Sequence, residues 1–243
     1  MEQDVYQKDN MDEIDLMDYI KVILKRKKII FGITILAVIA AAGFSFSMAK
    51  VYKIDSSLEI GKIAGEVIEG PLQVVEKIKA DSYGVLIREK LNLSEEEYPK
   101  IKAENPKDTN LVRIEIESNK PKMAKTILEE LNDLILKEHQ ERLDNRKSKI
   151  EENINEIQAE LNLLETKKQY SEGIAELQIE LVGLKNQMNT AQLTKIVKKP
   201  TISEEPIKPR PLLNIVIAGV LGLFIGTFLA FFKEWWEKSK NLA

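Results

Sequence analysis

LLNIVIAGVLGLFIGTFLAFF, residues 212–232, decides how the rest of this chain is read. These 21 residues carry no charge, and Asn214 is their one strongly polar side chain. About 20 apolar residues at 1.5 Å per residue cross a hydrocarbon layer of about 30 Å. A soluble helix is not apolar on every face over that length. The segment is expected to span a membrane. Small residues recur at every fourth position, Ala218, Gly222, Gly226 and Ala230, with Gly219 beside them. Such a face lets another helix approach closely and gain dispersion contacts in lipid, so these residues are the candidates for membrane packing and assembly. The alternative is compositional, because membrane helices are rich in glycine at large. Trp235 and Trp236 follow where an interfacial aromatic belt belongs.

A second uncharged stretch, IIFGITILAVIAAAGFSFSMA, occupies 29–49 and offers small pairs at Ala37/Ala41 and Gly43/Ser47. Ser47-Met48-Ala49 loosely resembles a cleavage site, which makes a signal peptide the competing reading. The apolar run exceeds the usual core of a signal and 28 residues precede it, so an uncleaved anchor is expected. Two spans put both termini on one side. The cluster Lys25-Arg26-Lys27-Lys28 assigns that side to the cytoplasm. The expected order is a cytoplasmic tail 1–28, a span 29–49, an extracytoplasmic region 50–211, a span 212–232 and a cytoplasmic end 233–243. Residues 1–20 hold seven acidic side chains and one lysine, and the next eight hold five bases. Ile14, Met17, Ile20 and Leu24 fall at helical spacing, as in a helix lying along the inner membrane surface. A solvated tail fits the same composition.

A net charge of −3 over 243 residues gives no nucleic-acid footprint, and the absence of cysteine excludes thiol chemistry, cysteine-ligated metals and disulfides. Within the exported region, 50–120 reads as an α/β base. VYKIDSSLEI (51–60) partly alternates as a half-buried strand does. PLQVVEKI (71–78) opens a helix on proline, and 82–92 forms another, stopped by Asn92. LVRIEIE (111–117) alternates strictly, with Val112, Ile114 and Ile116 on the inner face.

From Pro121 the period becomes helical. Met123, Ile127, Leu131, Leu134 and Ile135 lead into Ile150, Ile154, Ile157, Leu161 and Leu164, a heptad seam. Tyr170, Ile174, Leu177, Leu181, Leu184, Met188 and Ala191 form a second seam, out of phase with the first. The expected arm, 121–197, is an antiparallel helical hairpin turning at 167–173, or else one long helix with a stutter. The outgoing helix is longer than the return helix. Pro200, Pro206, Pro209 and Pro211 then suggest an extended tether over 198–211 that brings the chain back to Asn214 and the second span. Part of it, 196–202, would alternatively add an edge strand to the base.

No catalytic, cofactor or metal constellation stands out. His139, the single histidine, is expected on a solvated charged face. Glu95-Glu96-Glu97 and Glu151-Glu152 are likewise expected in solvent, and no GxxxxGK[ST] loop occurs.

The layout resembles a family. DEIDLMDYI (12–20), followed by Lys25-Arg26-Lys27-Lys28 and a span, resembles the N-terminus of bacterial polysaccharide co-polymerases, the Wzz-type chain-length determinants. Val51-Tyr52-Lys53-Ile54 looks like their first strand. The strand 111–117 leading into Ser118-Asn119-Lys120-Pro121 is similar to their central strand–helix junction. The prolines before Asn214 and the glycine-rich second span are similar to their C-terminal signature. The resemblance implies an α+β protein with two transmembrane helices, an extracytoplasmic base and a projecting helical arm. It also implies a homo-oligomer in the inner membrane that sets the length of a lipid-linked surface polysaccharide with a separate polymerase, without being an enzyme. Some relatives carry or partner with a cytoplasmic tyrosine kinase; 233–243 holds no kinase domain and no tyrosine cluster, so a kinase partner implied by the resemblance is a separate protein. The rival reading is a membrane-anchored coiled-coil adaptor of an export or signalling complex.

Overall fold

The structure is a computed structural model and describes residues 16–166 and 171–240; 167–170, at the expected turn, lie outside them. The chain forms two compact units, Lys50–Lys208 and the two ends together. At the N-terminal end, α1 (Leu16–Lys25) precedes α2 (Lys27–Ser47). Arg26 parts them with φ −104° and ψ 15°, in the sparsely allowed bridge region.

The second unit starts with β1 (Tyr52–Glu59), whose Ile54, Ser56 and Leu58 point inward. A two-residue hairpin follows, β2 (Lys62–Ile63) and β3 (Glu66–Val67). Its loop, Ala64 at φ 56° and Gly65 at φ 82°, has the paired positive φ of a type I′ turn. Pro71 sits in the first turn of α3 (Pro71–Lys79), and α4 (Gly84–Leu91) ends on Asn92 in the left-handed region. The Asn92 N–H returns to the carbonyls of Arg88 and Glu89, which is how the expected stop is made. β4 (Ile101–Glu104) and β5 (Leu111–Ser118) come next. Of these two, only β5 has an alternation long enough to read in sequence. α5 (Pro121–Thr166) then runs 46 residues, about 69 Å. α6 (Ser171–Asn189) and β6 (Lys195–Ile202) complete the unit.

The sheet is antiparallel in the order β4-β5-β1-β6. The pairing Ile54↔Ile116 and Leu58↔Val112 keeps apolar side chains on one face. On that face Ile54, Leu58, Val112, Ile114 and Ile116 meet Ala124, Ile127, Leu128, Leu131 and Ile135 of α5, with α3 and α4 closing the core. The class is α+β.

Beyond the core, Ile154, Ile157 and Leu161 stay buried. Four residues separate the end of α5 from the start of α6, and Ala191 packs near Leu143 and Ile150. The two helices are therefore antiparallel, and the single-helix alternative is excluded.

The return path differs from the expected one. α6 ends at Asn189 instead of 197, and the tether segment begins as sheet. β6 pairs with β1, the alternative edge-strand reading. Pro200, buried in β6, falls where the register shifts between Asp55 and Ser57, so its missing N–H leaves no gap in a regular ladder. The chain then stays on the base: Ser203 N–H donates to Lys53 O, Ile207 N–H to Val51 O, and Val51 N–H to Lys208 O. Backbone hydrogen bonding held over this segment outweighs the polyproline preference of Pro206 and Pro209. The last described element is α7 (Pro211–Lys240), 30 residues, which starts on Pro211 and runs past the expected end at 232.

Candidate functional site

α2 and α7 are each long and apolar enough to cross a membrane. They pack antiparallel along one seam. On α7 it consists of Asn214, Ala218, Gly222, Gly226, Ala230 and Glu234, one residue per four. On α2 it consists of Ile30, Thr34, Ala37 and Ser45. At one end Asn214 Nδ2 donates to Ser45 Oγ at 3.1 Å. Gly219 lies against Val38. A Cβ on Gly222 would stand 3.0 Å from Thr34 Cα and Ala37 Cβ, and one on Gly226 3.0 Å from Ile30 Cα and carbonyl O. Those two glycines are what let the backbones meet. The small-residue face expected to receive another helix thus receives α2 of the same chain. A Cβ on Gly43, proposed as part of a small pair in the first span, would meet nothing within 4 Å.

The seam closes in charges. Glu234, with an 11% exposed side chain, accepts from Lys25 Nζ at 2.7 Å and from Arg26 Nε at 3.1 Å. Arg26 also pairs with Glu237. Beside them Tyr19 meets Phe231 edge-on at 5.6 Å, and Phe232, Trp235 and Trp236 form a ring cluster capped by Lys240. Glu234 escaped the sequence reading because the small-residue pattern ends at Ala230. Its signal was the same four-residue step carried once further.

A second assembly of side chains lies in the other unit, where the arm leaves the base. His139 is 1% exposed, contrary to the solvated position expected from its charged neighbours. Gly61 N–H donates to Thr194 Oγ1 at 2.9 Å, which turns the Thr194 hydroxyl toward His139 Nδ1 at 2.8 Å. His139 Nε2–H then donates to Glu69 Oε2 at 3.1 Å. Burial pushes the imidazole below its ordinary value, and the Glu69 hydrogen bond opposes this. Glu69 is also held by Lys77 at 2.8 Å. Burial would raise the neighbouring Glu138, yet hydrogen bonds from Lys77, Tyr83 and Arg142 hold it at about 2. The order hydroxyl–imidazole–carboxylate is that of a nucleophilic triad. Here all three members are buried, so they act as a brace joining the loop before α3, the middle of α5 and the approach to β6. Gly61 is part of it, since a Cβ there would stand 2.2 Å from Gln192 O. The signal for His139 was its step of four from both Ile135 and Leu143, which sets it on the apolar face of α5.

The outer face of the sheet is a lattice of ion pairs. Lys53 pairs with Glu115, Lys198 with Asp55, Lys195 with Glu59, and Glu117 with both Lys102 and Lys208. The two lysines hold Glu117 at about 2. A depression of about 490 Å³ opens over Lys53, Asp55, Arg113 and Lys198. Glu95, Glu96, Glu97, Glu151 and Glu152 are exposed, as expected. Among the described residues no group of three or more histidine or acidic side chains is disposed to hold a metal.

These features define an α+β unit flanked in sequence by two apolar helices that pack as a hairpin. Residues 12–81, from the tail through α1, α2 and β1 to α3, match the family model for Wzz, the chain length determinant protein. That match takes in 12–20 and 51–54, two of the stretches from which the resemblance is read. No curated protein matches it in sequence. Among solved structures it is similar to a full-length bacterial polysaccharide co-polymerase at 12% identity and TM-score 0.47, covering 92% of this chain and 99% of that one. It is also similar to a fragment of WzzB, a polysaccharide co-polymerase from Salmonella Typhimurium, at 15% identity and TM-score 0.35, covering 65% and 99%. A third is a point mutant of the Shigella flexneri lipopolysaccharide O-antigen chain-length regulator, at 10% identity and TM-score 0.23, covering 65% and 99%.

Proposed function

We propose that this chain regulates the length of a bacterial surface polysaccharide from the inner membrane, as a co-polymerase that does no chemistry itself. The observation that carries the reading is the Wzz match over 12–81, which takes in the first apolar helix and the opening of the α+β unit. In this reading α2 and α7 cross the membrane, both termini are cytoplasmic, and Lys50–Lys208 lies outside. The basic run before α2 supports that orientation. The chain works as a homo-oligomer around a separate polymerase and its lipid-linked glycan. Exposed Leu163 on α5 and Ile179 and Val182 on α6 support contact between neighbouring arms, which closed symmetry would bury. The sheet's outer face supplies charged and hydroxyl groups.

The test is the size distribution of surface polysaccharide on a gel, with the gene deleted and then restored. Loss of a narrow modal band on deletion and its return on complementation is the expected result. An unchanged distribution, with no second gene of this type covering the loss, favours a coiled-coil adaptor.

A further inference from the structure

α1 does not continue the line of α2. Along the seam each step toward the N-terminus of α2 is matched by a step toward the C-terminus of α7: Ser45 meets Asn214, Ala37 meets Gly222, Ile30 meets Gly226, and Arg26 meets Glu234. Continued in line, α1 would carry Tyr19 to the last turns of α7. Its ring meets Phe231 instead, which lies on the apolar side of Glu234. At 1.5 Å per residue that is about two helical turns nearer the apolar zone than a straight helix would reach. The bend is at Arg26, the residue in neither helix.

The bend sorts the faces of α1. Tyr19 and Lys25 turn to α7, one to Phe231 and the other to Glu234. Met17, Ile20 and Leu24, spaced as one stripe, are 60%, 48% and 63% exposed. The stripe sits at the level where the apolar surface of α7 ends and Trp235, Trp236 and Lys240 begin. Lys27 and Lys28, both exposed, stand at the adjoining end of α2.

We infer that α1 lies in the plane of the membrane, with Met17, Ile20 and Leu24 in the acyl boundary of the leaflet where α7 ends, and with Lys27 and Lys28 among anionic lipid headgroups. The occupant is lipid because the stripe continues the exposed apolar surfaces of α2 and α7 at one level, and because the bases beside it match an anionic leaflet. The inference rests on α2 and α7 spanning the membrane. It adds that the chain grips one leaflet laterally, which fixes the depth and tilt of the helix pair.

The chain has no cysteine, so single nitroxide labels can be placed without background. Met17→Cys, Ile20→Cys, Leu24→Cys and Lys21→Cys are labelled in the full chain, in vesicles of phosphatidylethanolamine and phosphatidylglycerol. Phe228→Cys, at an exposed site on α7, reports the span itself. Collision with oxygen is compared with collision with a water-soluble nickel complex. The expected result is a severalfold higher oxygen-to-nickel ratio at 17, 20 and 24 than at 21, with 228 also reading lipid. Lipid at 228 but water at 17, 20 and 24 would overturn the inference and leave the spans standing. Water at 228 would remove the spanning reading and this one with it. Shielding from both reagents at 17, 20 and 24, with spin–spin broadening, would show a second copy of the chain on the stripe, which also overturns it.

Discussion

The seam between α2 and α7 and the brace at the root of the arm each join segments far apart in sequence, but by opposite means. The seam works by omission. Gly222 and Gly226 present no side chain, the backbones close to contact, and dispersion over many atoms does the holding. The brace works by addition. Three buried polar side chains, Glu69, His139 and Thr194, satisfy one another, and each is costly if left alone. A seam of small residues tolerates sliding but no added bulk. A polar brace tolerates neither displacement nor loss of a partner. The difference predicts how each should fail.

The largest effect is expected at the seam. Gly222→Leu with Gly226→Leu forces side chains into the backbone of Thr34 and Ile30. Overpacking costs about 1–3 kcal/mol per site, and 1.4 kcal/mol is about a tenfold change in an equilibrium. With Ser45→Cys and Asn214→Cys as reporters, a short thiol crosslinker should join α2 to α7 in the parent and lose roughly tenfold or more of its yield in the double variant. Undiminished crosslinking would show that the seam can open without parting the helices. Close backbone packing would then not be what holds the pair.

The brace should respond next. Glu69→Ala strips the His139 N–H and the Lys77 ammonium of a buried acceptor, and the expected loss is about 1–3 kcal/mol. Urea unfolding of the full chain in detergent, read through amide protection over 124–143, measures it. Thr194→Val, similar in shape, should lose less, because neutral hydrogen bonds contribute about 0.5–1.5 kcal/mol. If both substitutions prove silent, the brace is incidental to how the arm is held.

Acidification sharpens the same contrast. His139 has its folded pKa lowered by burial, so the folded state resists the proton that the unfolded chain accepts. Its contribution is whole above the ordinary imidazole value of about 6.5 and is lost as pH falls from there toward the lowered one. Glu138, held at about 2, contributes above the ordinary carboxylate value and loses that contribution as pH falls from there to about 2. The root of the arm should therefore weaken in two stages, while the uncharged middle of the seam stays indifferent. His139→Gln should abolish the first stage and spare the second. A variant that keeps the first stage would show that another group carries it.

What could be read from the sequence follows from periodicity. The seam was legible because one residue in four repeats along α7, and the core of the base because Val112, Ile114 and Ile116 alternate. The heptads announced the hairpin for the same reason. The brace was not legible, because Glu69, His139 and Thr194 come from three segments whose meeting depends on how the hairpin returns, and no local pattern encodes that. The path of 195–208 was only half legible. Its prolines argue for an extended chain, which a strand also is, but the choice between free tether and sheet edge depends on β1 offering an open edge. β4 was missed because four residues are too few to show a period.

The smallest effect is expected between the two regions in kind, at a polar pair inside the apolar core. Ser56 Oγ donates to Asn132 Oδ1 at 3.3 Å, a long hydrogen bond, and both residues are buried. Among the described residues nothing accepts from Asn132 Nδ2. A buried donor without a partner costs about 1–3 kcal/mol, whereas the long bond it accompanies contributes about 0.5–1.5 kcal/mol at most. Asn132→Leu together with Ser56→Ala removes both terms at nearly constant volume, and should stabilise the unit by about 1 kcal/mol. Ser56→Ala alone should destabilise, since it leaves Asn132 unpaired at both ends. Opposite signs for the single and double variants in the urea experiment would mark the pair as a cost that the core carries, unlike the brace, where every polar atom is answered. Equal signs would mean that Ser56 and Asn132 contribute independently, and that a buried polar group in this protein need not be satisfied to be tolerated.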